Sequence, residues 1–333
     1  MTRVMPLDGG GPKVPHEWPI YTFVSRTSIC RAFLPLFFPW ALACAVFAQT
    51  SDDAPPDLLL HSSVTEVRVN FSTTDENNHV IVTLQPSDFA VVDRDMVIRD
   101  FRSFVRSEYT RLDVAVLVDA SESISPRFHQ ELATVVQLIS QTETVPDEGF
   151  SVISFRNTSP AVVCAGNCRA TLNGAQFPPI QNGGMTPLYD SVLFASRKLG
   201  VDNDPHARRI LVLFSDGADT ISLTPFTGAL DSAVENDVAI YSVDVSRQPH
   251  NSPGTVILRS LALNTGGRYF TIEAGAGKLI DAILEDVHAT YTVAYKLPSH
   301  ATGFHEVRIL PTHNPGLQFH CRRGYYYPSD QEN

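Results

Sequence analysis

Oxygen-bearing side chains end an apolar run in the first half of the chain. The run VAVLV stops at Asp119, and Ser121 and Ser123 follow at every second position. Residues two apart share one face of extended backbone, so we expect the carboxylate and the two hydroxyls to lie on the same side. A buried strand has little use for three such groups unless something at its end binds oxygen, so the first hypothesis is a metal ion.

Two further loops carry groups of the same kind. In NGGMTPLYDS, Gly183 and Gly184 permit a tight approach, and Thr186 stands before a helix that starts with proline. In LFSDGAD, an apolar run delivers Asp216 to a strand end. Together the three loops offer two carboxylates, three hydroxyls and backbone carbonyls, without His or Cys. Such hard oxygen donors suit Mg²⁺, Ca²⁺ or Mn²⁺ and are poor ligands for zinc or copper.

A purely structural role is the alternative for these residues. Asp and Ser at strand ends often cap the next helix, and Ser123 or Ser125 could cap a helix that starts at Pro126. That explanation would suffice for one loop, whereas three loops at strand ends favour metal binding. Asp190 is expected to support a helix start. Asp219 is left open between a second acid at the site and a loop charge.

Strands and helices alternate from Leu112 onwards. The runs LDVAVLV, FSVISF, RRILVLFS and VAIYSVDV are apolar throughout, which is typical of strands buried on both faces. Amphipathic stretches separate them, and the first places apolar residues from Phe128 to Ile139 on one helical face. This alternation predicts an α/β fold with a doubly wound, mostly parallel sheet flanked by helices. Ligands of such folds bind beyond the carboxyl ends of the strands, where Asp119 lies.

The segments on either side of this region have the pattern of β-strands. Residues 57–108 alternate apolar and polar positions, and strand-like runs return in residues 290–328. The first segment has too few strands to bury a good core alone. We therefore expect the two segments to pair as a small β-sandwich-like module around an α/β domain at 110–289. Arg322-Arg323 is interpreted as a solvated strand end rather than an anion site.

The N-terminal residues have the character of an export signal. Basic residues precede the apolar run Ala32 to Ala48, so residues 1–48 are interpreted as a signal peptide and the polar residues 49–56 as a linker. This predicts a protein that is secreted or held in the periplasm or cell envelope. Contact with a membrane would come only through an uncleaved anchor or through a lipid on Cys44 in the sequence ALAC.

Composition narrows the class of protein further. The chain has 333 residues, of which 43% are hydrophobic and 18% charged, as expected of a globular protein. The formal net charge of −11 and the lack of a basic block argue against nucleic acid as a partner. The motifs G-x-S-x-G, H-E-x-x-H and G-x-x-x-x-G-K are missing, which argues against an enzyme. Cys164 and Cys168 could form a local disulfide or remain two thiols on a loop, and Cys321 is expected in the core.

The three loops together resemble a known metal site. Asp119-Ala-Ser121-Glu-Ser123, Gly184-Met-Thr186 and Ser215-Asp216-Gly217 are similar to the metal-ion-dependent adhesion site of the von Willebrand factor type A domain. More narrowly, residues 60–328 resemble the secreted bacterial proteins with a "VWFA-related" domain that are known chiefly from Acidobacteria. The upstream stretch LQPSDFAVVDRDMVIRDFRSF and the closing elements NTGGRYF, ATYTVAYKLP and GLQFHCRRGYYYP carry this second likeness.

The resemblance implies a role for each residue of the site. Ser121, Ser123 and Thr186 would bind Mg²⁺ directly, while Asp119 and Asp216 would hold its waters or bind it themselves. The cation keeps exchangeable waters, and an Asp or Glu carboxylate of a protein partner could replace one. The implied activity is non-catalytic, metal-dependent protein binding of the adhesion type.

Other interpretations stay open at this point. Glu122 stands where the family often has glycine, and its carboxylate could face solvent, bind the ion or repel an acidic ligand. The alternatives in function are an envelope scaffold with a vestigial metal site and a serine hydrolase. The motif around Ser121 contains no histidine, which weighs against the hydrolase.

Overall fold

The alternating strands and helices lie between two groups of antiparallel strands. The computed structural model describes residues 66–106, 110–121, 124, 126–172, 184–201, 207–246 and 252–328. In chain order the strands of these stretches are β1 (Glu66–Thr74), β2 (Phe89–Asp93), β3 (Met96–Ile98), β4 (Ser103–Arg106), β5 (Leu112–Asp119), β6 (Phe150–Arg156), β7 (Ser159–Ala165), β8 (Arg208–Ser215), β9 (Val238–Asp244), β10 (Tyr269–Thr271), β11 (Tyr291–Lys296), β12 (Gly303–Pro311), β13 (Gln318–Cys321) and β14 (Gly324–Tyr327). The α-helices are α1 (Pro126–Ser140), α2 (Cys168–Leu172), α3 (Leu188–Gly200), α4 (Phe226–Glu235), α5 (Pro253–Thr265) and α6 (Ala276–His288).

Some of the sequence predictions concern residues outside the described stretches. The expected signal peptide, the linker, Cys44, Glu122 and Ser123 are all in this group. The described residues belong to one compact unit, His61–Asn333. Within them, no helix is both long enough and apolar enough to cross a membrane.

A six-stranded sheet forms the centre of the α/β region. Its strand order is β10-β9-β8-β5-β6-β7, and all its neighbouring strands are parallel except β6 and β7. Every residue of β5 is buried, which explains why its sequence is apolar throughout instead of alternating. β5 lies between β6 and β8, so their carboxyl ends meet at one edge of the sheet.

Helices cover both faces of this sheet. On one face, α1 and α6 bury the residues that sequence periodicity placed on a common face, among them Phe128, Leu132, Ile280 and Ile283. On the other face, α3, α4 and α5 pack against the sheet through residues such as Leu188. Each fully buried side chain of this size contributes about 1.5–3 kcal/mol relative to exposure. The predicted doubly wound α/β fold is confirmed.

The flanking segments pair with each other, as the fold prediction required. One antiparallel sheet has the order β13-β1-β11-β4 and the other β14-β12-β2-β3. In each sheet a strand that precedes the α/β region pairs with one that follows it, β1 with β11 and β2 with β12. Their shared core contains Phe71 and Phe89, whose ring centroids lie 5.2 Å apart. The segment boundaries stay a prediction.

The interpretation of Arg322-Arg323 as a solvated strand end was wrong. Arg322 donates to the Asp237 carboxylate at 2.8 Å and to the backbone oxygen of Arg68 at 2.9 Å. Arg323 forms an ion pair with Asp231 of α4. The two guanidinium groups therefore connect the β-strand module to the α/β region, a contact between distant segments that a local strand-end pattern does not encode.

The cysteine pair forms a disulfide on ordered elements rather than on a loop. Cys164 lies in β7 and Cys168 begins α2, with 5.3 Å between their Cα atoms. Of the two alternatives left open by the sequence, the structure shows the disulfide, and β7 forms a hairpin with β6 through a turn at Asn157, where φ is +57°. Cys321 packs against the sandwich core as expected, and burial raises the pKa of its thiol to about 11.

Candidate functional site

The candidate site lies at the carboxyl edge of the parallel sheet, where β5 and β8 end side by side. Asp119 is the last residue of β5, and its side chain is fully buried. Its Oδ1 accepts a hydrogen bond from the backbone N–H of Ser121 at 2.9 Å, and its Oδ2 accepts one from the Ser215 hydroxyl at 2.7 Å. One carboxylate thus connects the loop after β5 with the end of β8.

Burial makes this carboxylate unusual. Burial raises the pKa of Asp119 to about 6, and the negative charge of Asp216 adds to the rise, while hydrogen bonds from Ser121 and Ser215 oppose it. A buried carboxylate is costly unless it is hydrogen-bonded and paired with positive charge. The hydrogen bonds supply the first of these, and a cation at the strand ends would supply the second.

The loop before α3 is tied to the loop after β8. The backbone N–H of Thr186 donates to the Thr220 hydroxyl at 2.7 Å, and the backbone N–H of Thr220 donates to the Thr186 carbonyl at 2.9 Å. Both bonds use the backbone of Thr186, so neither engages its hydroxyl. Thr186 is only 3% exposed, which places this residue inside the edge of the sheet rather than on its surface.

Two glycines permit these loops to approach their neighbours. Gly184 has φ +97°, and a Cβ there would overlap Asn157, whose backbone N–H donates to Met185 at 2.7 Å. Gly217 has φ +78°, and a Cβ there would overlap the backbone of Gly254 at the start of α5. Both positions combine left-handed backbone with close contact, so only glycine fits without strain.

Asp190 and Asp219 hold the loop after β8 against the first turn of α3. Asp219 accepts hydrogen bonds from the backbone N–H of Tyr189 at 3.3 Å and from the Ser222 hydroxyl at 2.5 Å. Asp190 accepts from the backbone N–H groups of Leu223 and Thr224 at 3.0 and 2.9 Å. Asp190 therefore supports structure near the helix start, and the contacts of Asp219 are also those of a loop-fixing acid.

The structure brings the described candidate residues to one edge in two linked groups. Asp119 and Ser121 are joined directly, and Ser215 connects them to the loop of Asp216, which also holds Thr186 through Thr220. One Asp216 oxygen accepts the backbone N–H of Ala218 at 3.0 Å. Within the described stretches, no cluster of three or more His, Cys, Asp or Glu could hold a metal, so the candidate set depends on hydroxyl oxygens.

Sequence reasoning missed Thr220 and Asp244. Thr220 carries no signal, because its role depends on a contact with Thr186 across 34 positions. Asp244 ends β9 and is fully buried, accepting hydrogen bonds from the hydroxyls of Thr255 and Tyr269, both at 2.9 Å. Its position after an apolar strand could have identified it, since Asp119 was found from the same pattern.

The fold and the three loops define a doubly wound α/β domain with an oxygen-rich site at its strand ends. The family model for the von Willebrand factor type A domain matches residues 113–283. The chain belongs to this family, and membership indicates a protein-interaction or adhesion-type module. A comparison with curated proteins found no match.

Several solved structures are similar to part of this chain at low sequence identity. An aerotolerance-related membrane protein from Bacteroides fragilis is 14% identical, with a TM-score of 0.41 and coverage of 53% of this chain and 98% of that one. BatB from Bacteroides thetaiotaomicron is 13% identical, with a TM-score of 0.38 and coverage of 53% and 97%. Proximal thread matrix protein 1 from the mussel byssus, with a "zinc occupied MIDAS motif", is 14% identical, with a TM-score of 0.41 and coverage of 59% and 50%. The match thus spans about half of the mussel protein. These likenesses concern the fold alone.

Proposed function

We propose that this chain is an exported, non-catalytic protein whose type A domain binds protein ligands through a divalent cation. The buried carboxylate of Asp119, shared between the ends of β5 and β8, carries the proposal. Burying a carboxylate costs free energy unless it is hydrogen-bonded and its charge is paired with a positive charge. Mg²⁺ is the first choice, with Ca²⁺ or Mn²⁺ as alternatives.

The donor set of these loops fits a hard cation. We assign the ligands to the hydroxyls of Ser121, Ser123 and Thr186 and to the carboxylates of Asp119 and Asp216. The Asp119 carboxylate accepts hydrogen bonds from Ser121 and Ser215, and neither bond between Thr186 and Thr220 engages the Thr186 hydroxyl. When bound, the cation would supply positive charge for an Asp or Glu carboxylate of the partner.

The surrounding residues hold the proposed metal ligands in position. Ser215 orients the Asp119 carboxylate, and Thr220 holds the backbone of Thr186. Gly217 lets the loop after β8 pack on α5. Because these contacts fix the loops that carry the proposed ligands, less conformational entropy has to be lost when a ligand binds.

Export has support beyond the N-terminal sequence. The Cys164–Cys168 disulfide is typical of proteins from oxidising compartments. We therefore propose secretion or a place in the cell envelope, with membrane contact only through an uncleaved anchor or a lipid on Cys44. The net charge of −11 supports a protein partner over nucleic acid.

Three described histidines contact residues outside the candidate site. His288 contacts the Thr144 hydroxyl at 3.1 Å, His305 contacts the Ala301 carbonyl at 2.6 Å, and His320 contacts the Thr74 hydroxyl at 3.1 Å. These contacts lie away from Ser121. An active-serine probe distinguishes the hydrolase alternative, because it would label that enzyme covalently and should leave a binding module unlabelled.

Thermal unfolding with and without metal tests the proposal. Mg²⁺, Ca²⁺, Mn²⁺ or Zn²⁺ is added to the chelator-treated protein, and a metal at 100 times its Kd should stabilise the fold by about 2.7 kcal/mol. Asp119→Asn and Asp216→Asn should lose this gain, whereas Asp281→Asn on the exposed side of α6 should keep it. A wild-type protein without any metal-dependent gain would support the scaffold alternative instead.

A further inference from the structure

Large apolar side chains lie on one side of the candidate site. Leu223 is 95% exposed and Met185 is 55% exposed. Tyr189 precedes Asp190, which accepts the backbone N–H of Leu223, and its partly buried ring packs edge to face on that of Phe226 with centroids 5.8 Å apart. We call these four residues the apolar rim. Single exposed apolar residues are normal on protein surfaces. An inference from the rim therefore depends on where these residues lie and on the hydrogen bonds that hold their backbone.

The rim lies close to the proposed ligands. Met185 directly precedes Thr186, which is hydrogen-bonded to Thr220. Leu223 follows Thr220 by three residues, so their Cα atoms lie within about 11 Å of each other. A partner segment of about three or four extended residues would span the distance between Leu223 and Thr220, which is hydrogen-bonded to the proposed ligand Thr186.

The backbone that presents Leu223 is fixed. Both Leu223 and the next residue, Thr224, donate their backbone N–H groups to the Asp190 carboxylate, at 3.0 and 2.9 Å. The backbone N–H of Asp190 in turn donates to the Ser222 hydroxyl at 3.2 Å. The loop therefore holds an almost fully exposed leucine in a defined position, where it could be covered at low entropic cost.

The charges around the rim restrict what could cover it. Asp190 lies in the first turn of α3, Asp216 and Asp219 lie in the loop after β8, and the whole chain carries a net charge of −11. One carboxylate of a partner could be offset by the cation, but further acidic side chains would face these like charges. The residues next to that carboxylate should accordingly not be acidic.

We propose that the apolar rim selects protein segments in which a single Asp or Glu has a large apolar side chain within three residues. The inference rests on the proposed function, because the carboxylate needs the cation. Metal binding then supplies the anchor, and the rim supplies discrimination among acidic segments. Leu223 and Met185 are the specificity-determining residues.

A displayed library of random heptapeptides tests this directly. The library is bound to the purified protein in Mg²⁺ and released with EDTA, and the released peptides are sequenced. We expect one acidic residue with Leu, Ile, Phe or Met within three positions. Leu223→Ser and Met185→Ser should keep the acidic residue and lose the apolar preference, while Leu263→Ser, at a 60% exposed position of α5, should change neither.

A synthetic peptide of the selected sequence provides the quantitative measurement. Its Kd should rise about 10-fold or more for Leu223→Ser, the loss expected when one buried leucine contact is removed. EDTA-released peptides without an apolar preference, or with several acidic residues, would overturn the inference and leave the proposed function standing. The absence of any EDTA-released peptides with Mg²⁺, Ca²⁺ or Mn²⁺ would overturn both.

Discussion

The Ser215 hydroxyl donates a hydrogen bond to Oδ2 of Asp119 at 2.7 Å, across 96 positions of the chain. Both residues are fully buried at the ends of neighbouring parallel strands. The same hydroxyl accepts the backbone N–H of Gly217 at 3.0 Å. Ser215 therefore sets the orientation of the carboxylate and the shape of the adjacent loop together.

Replacing Ser215 by alanine should weaken metal binding without removing a proposed ligand. Groups that orient metal ligands typically change affinity by about 10–100-fold when mutated, and we expect a loss in this range. The measurement is the Mg²⁺ concentration at half-maximal stabilisation in thermal unfolding. Ser159→Ala on the exposed part of β7 is the matched control. An unchanged Mg²⁺ affinity in Ser215→Ala would show that Ser215 does not orient Asp119 for metal binding.

Thr186→Val should separate metal binding from stability. Valine keeps the shape and the backbone bonds to Thr220 but lacks the hydroxyl, so the metal-dependent gain should disappear. Thr220→Val should instead lower the metal-free stability by about 1–3 kcal/mol, because the backbone N–H of Thr186 loses its acceptor. The exposed Thr227→Val serves as control. A full metal response in Thr186→Val would exclude its hydroxyl as a ligand.

Gly217→Ala should destabilise the fold. Left-handed backbone costs a non-glycine residue about 1–2 kcal/mol, and the overlap with Gly254 adds to it. Gly277→Ala in α6 should do the opposite and stabilise the protein by about 0.5–1 kcal/mol, because nothing lies near its new methyl group and helical glycine is costly. Urea unfolding of the two variants measures the change in the free energy of unfolding, which should be negative for Gly217→Ala and positive for Gly277→Ala. Equal effects would contradict the strained loop.

Reduction of the Cys164–Cys168 disulfide should lower the free energy of unfolding by about 2 kcal/mol, the chain-entropy value for so short a loop. The double variant Cys164→Ser/Cys168→Ser should show the same loss and no response to reductant. Cys321→Ser should retain the response to reductant, which makes it the control. Thiol titration in denaturant should gain two thiols on reduction.

The contribution of His320 to the free energy of unfolding should fall as the pH drops below about 6.5, the ordinary pKa of histidine. Burial lowers the pKa of His320, and Arg268 lowers it further, although Asp286 opposes this. The folded state therefore keeps the ring neutral while the unfolded state takes up a proton, so acid favours unfolding. His320→Gln should reduce the stability difference between pH 7.5 and pH 6. Asp119, whose pKa is also shifted, is present in both proteins. The difference between the wild-type and variant pH profiles therefore reports the contribution of His320 alone. Identical pH profiles would contradict the assignment.

The sequence pattern of consecutive residues predicted the strands and helices of the α/β region. It did not predict the contacts between segments that are distant in the chain. The apolar run before Asp119 and the helical spacing around Phe128 depend on a few consecutive residues, and both were correctly placed. The bond between Thr186 and Thr220 and the ion pair of Arg322 with Asp237 depend on which segments meet in space. The role of Ser123 stays a prediction, because this residue lies outside the described stretches.

The chain enters and leaves the α/β region through paired strands. β4 leads into it and β11 leads out, and they run antiparallel, with Tyr291 opposite Arg106. The type A domain is thus a large insertion whose two ends are held together by this strand pair. A tensile load applied across the sandwich would therefore be carried first by its paired strands and would reach the type A domain only after β4 and β11 separate.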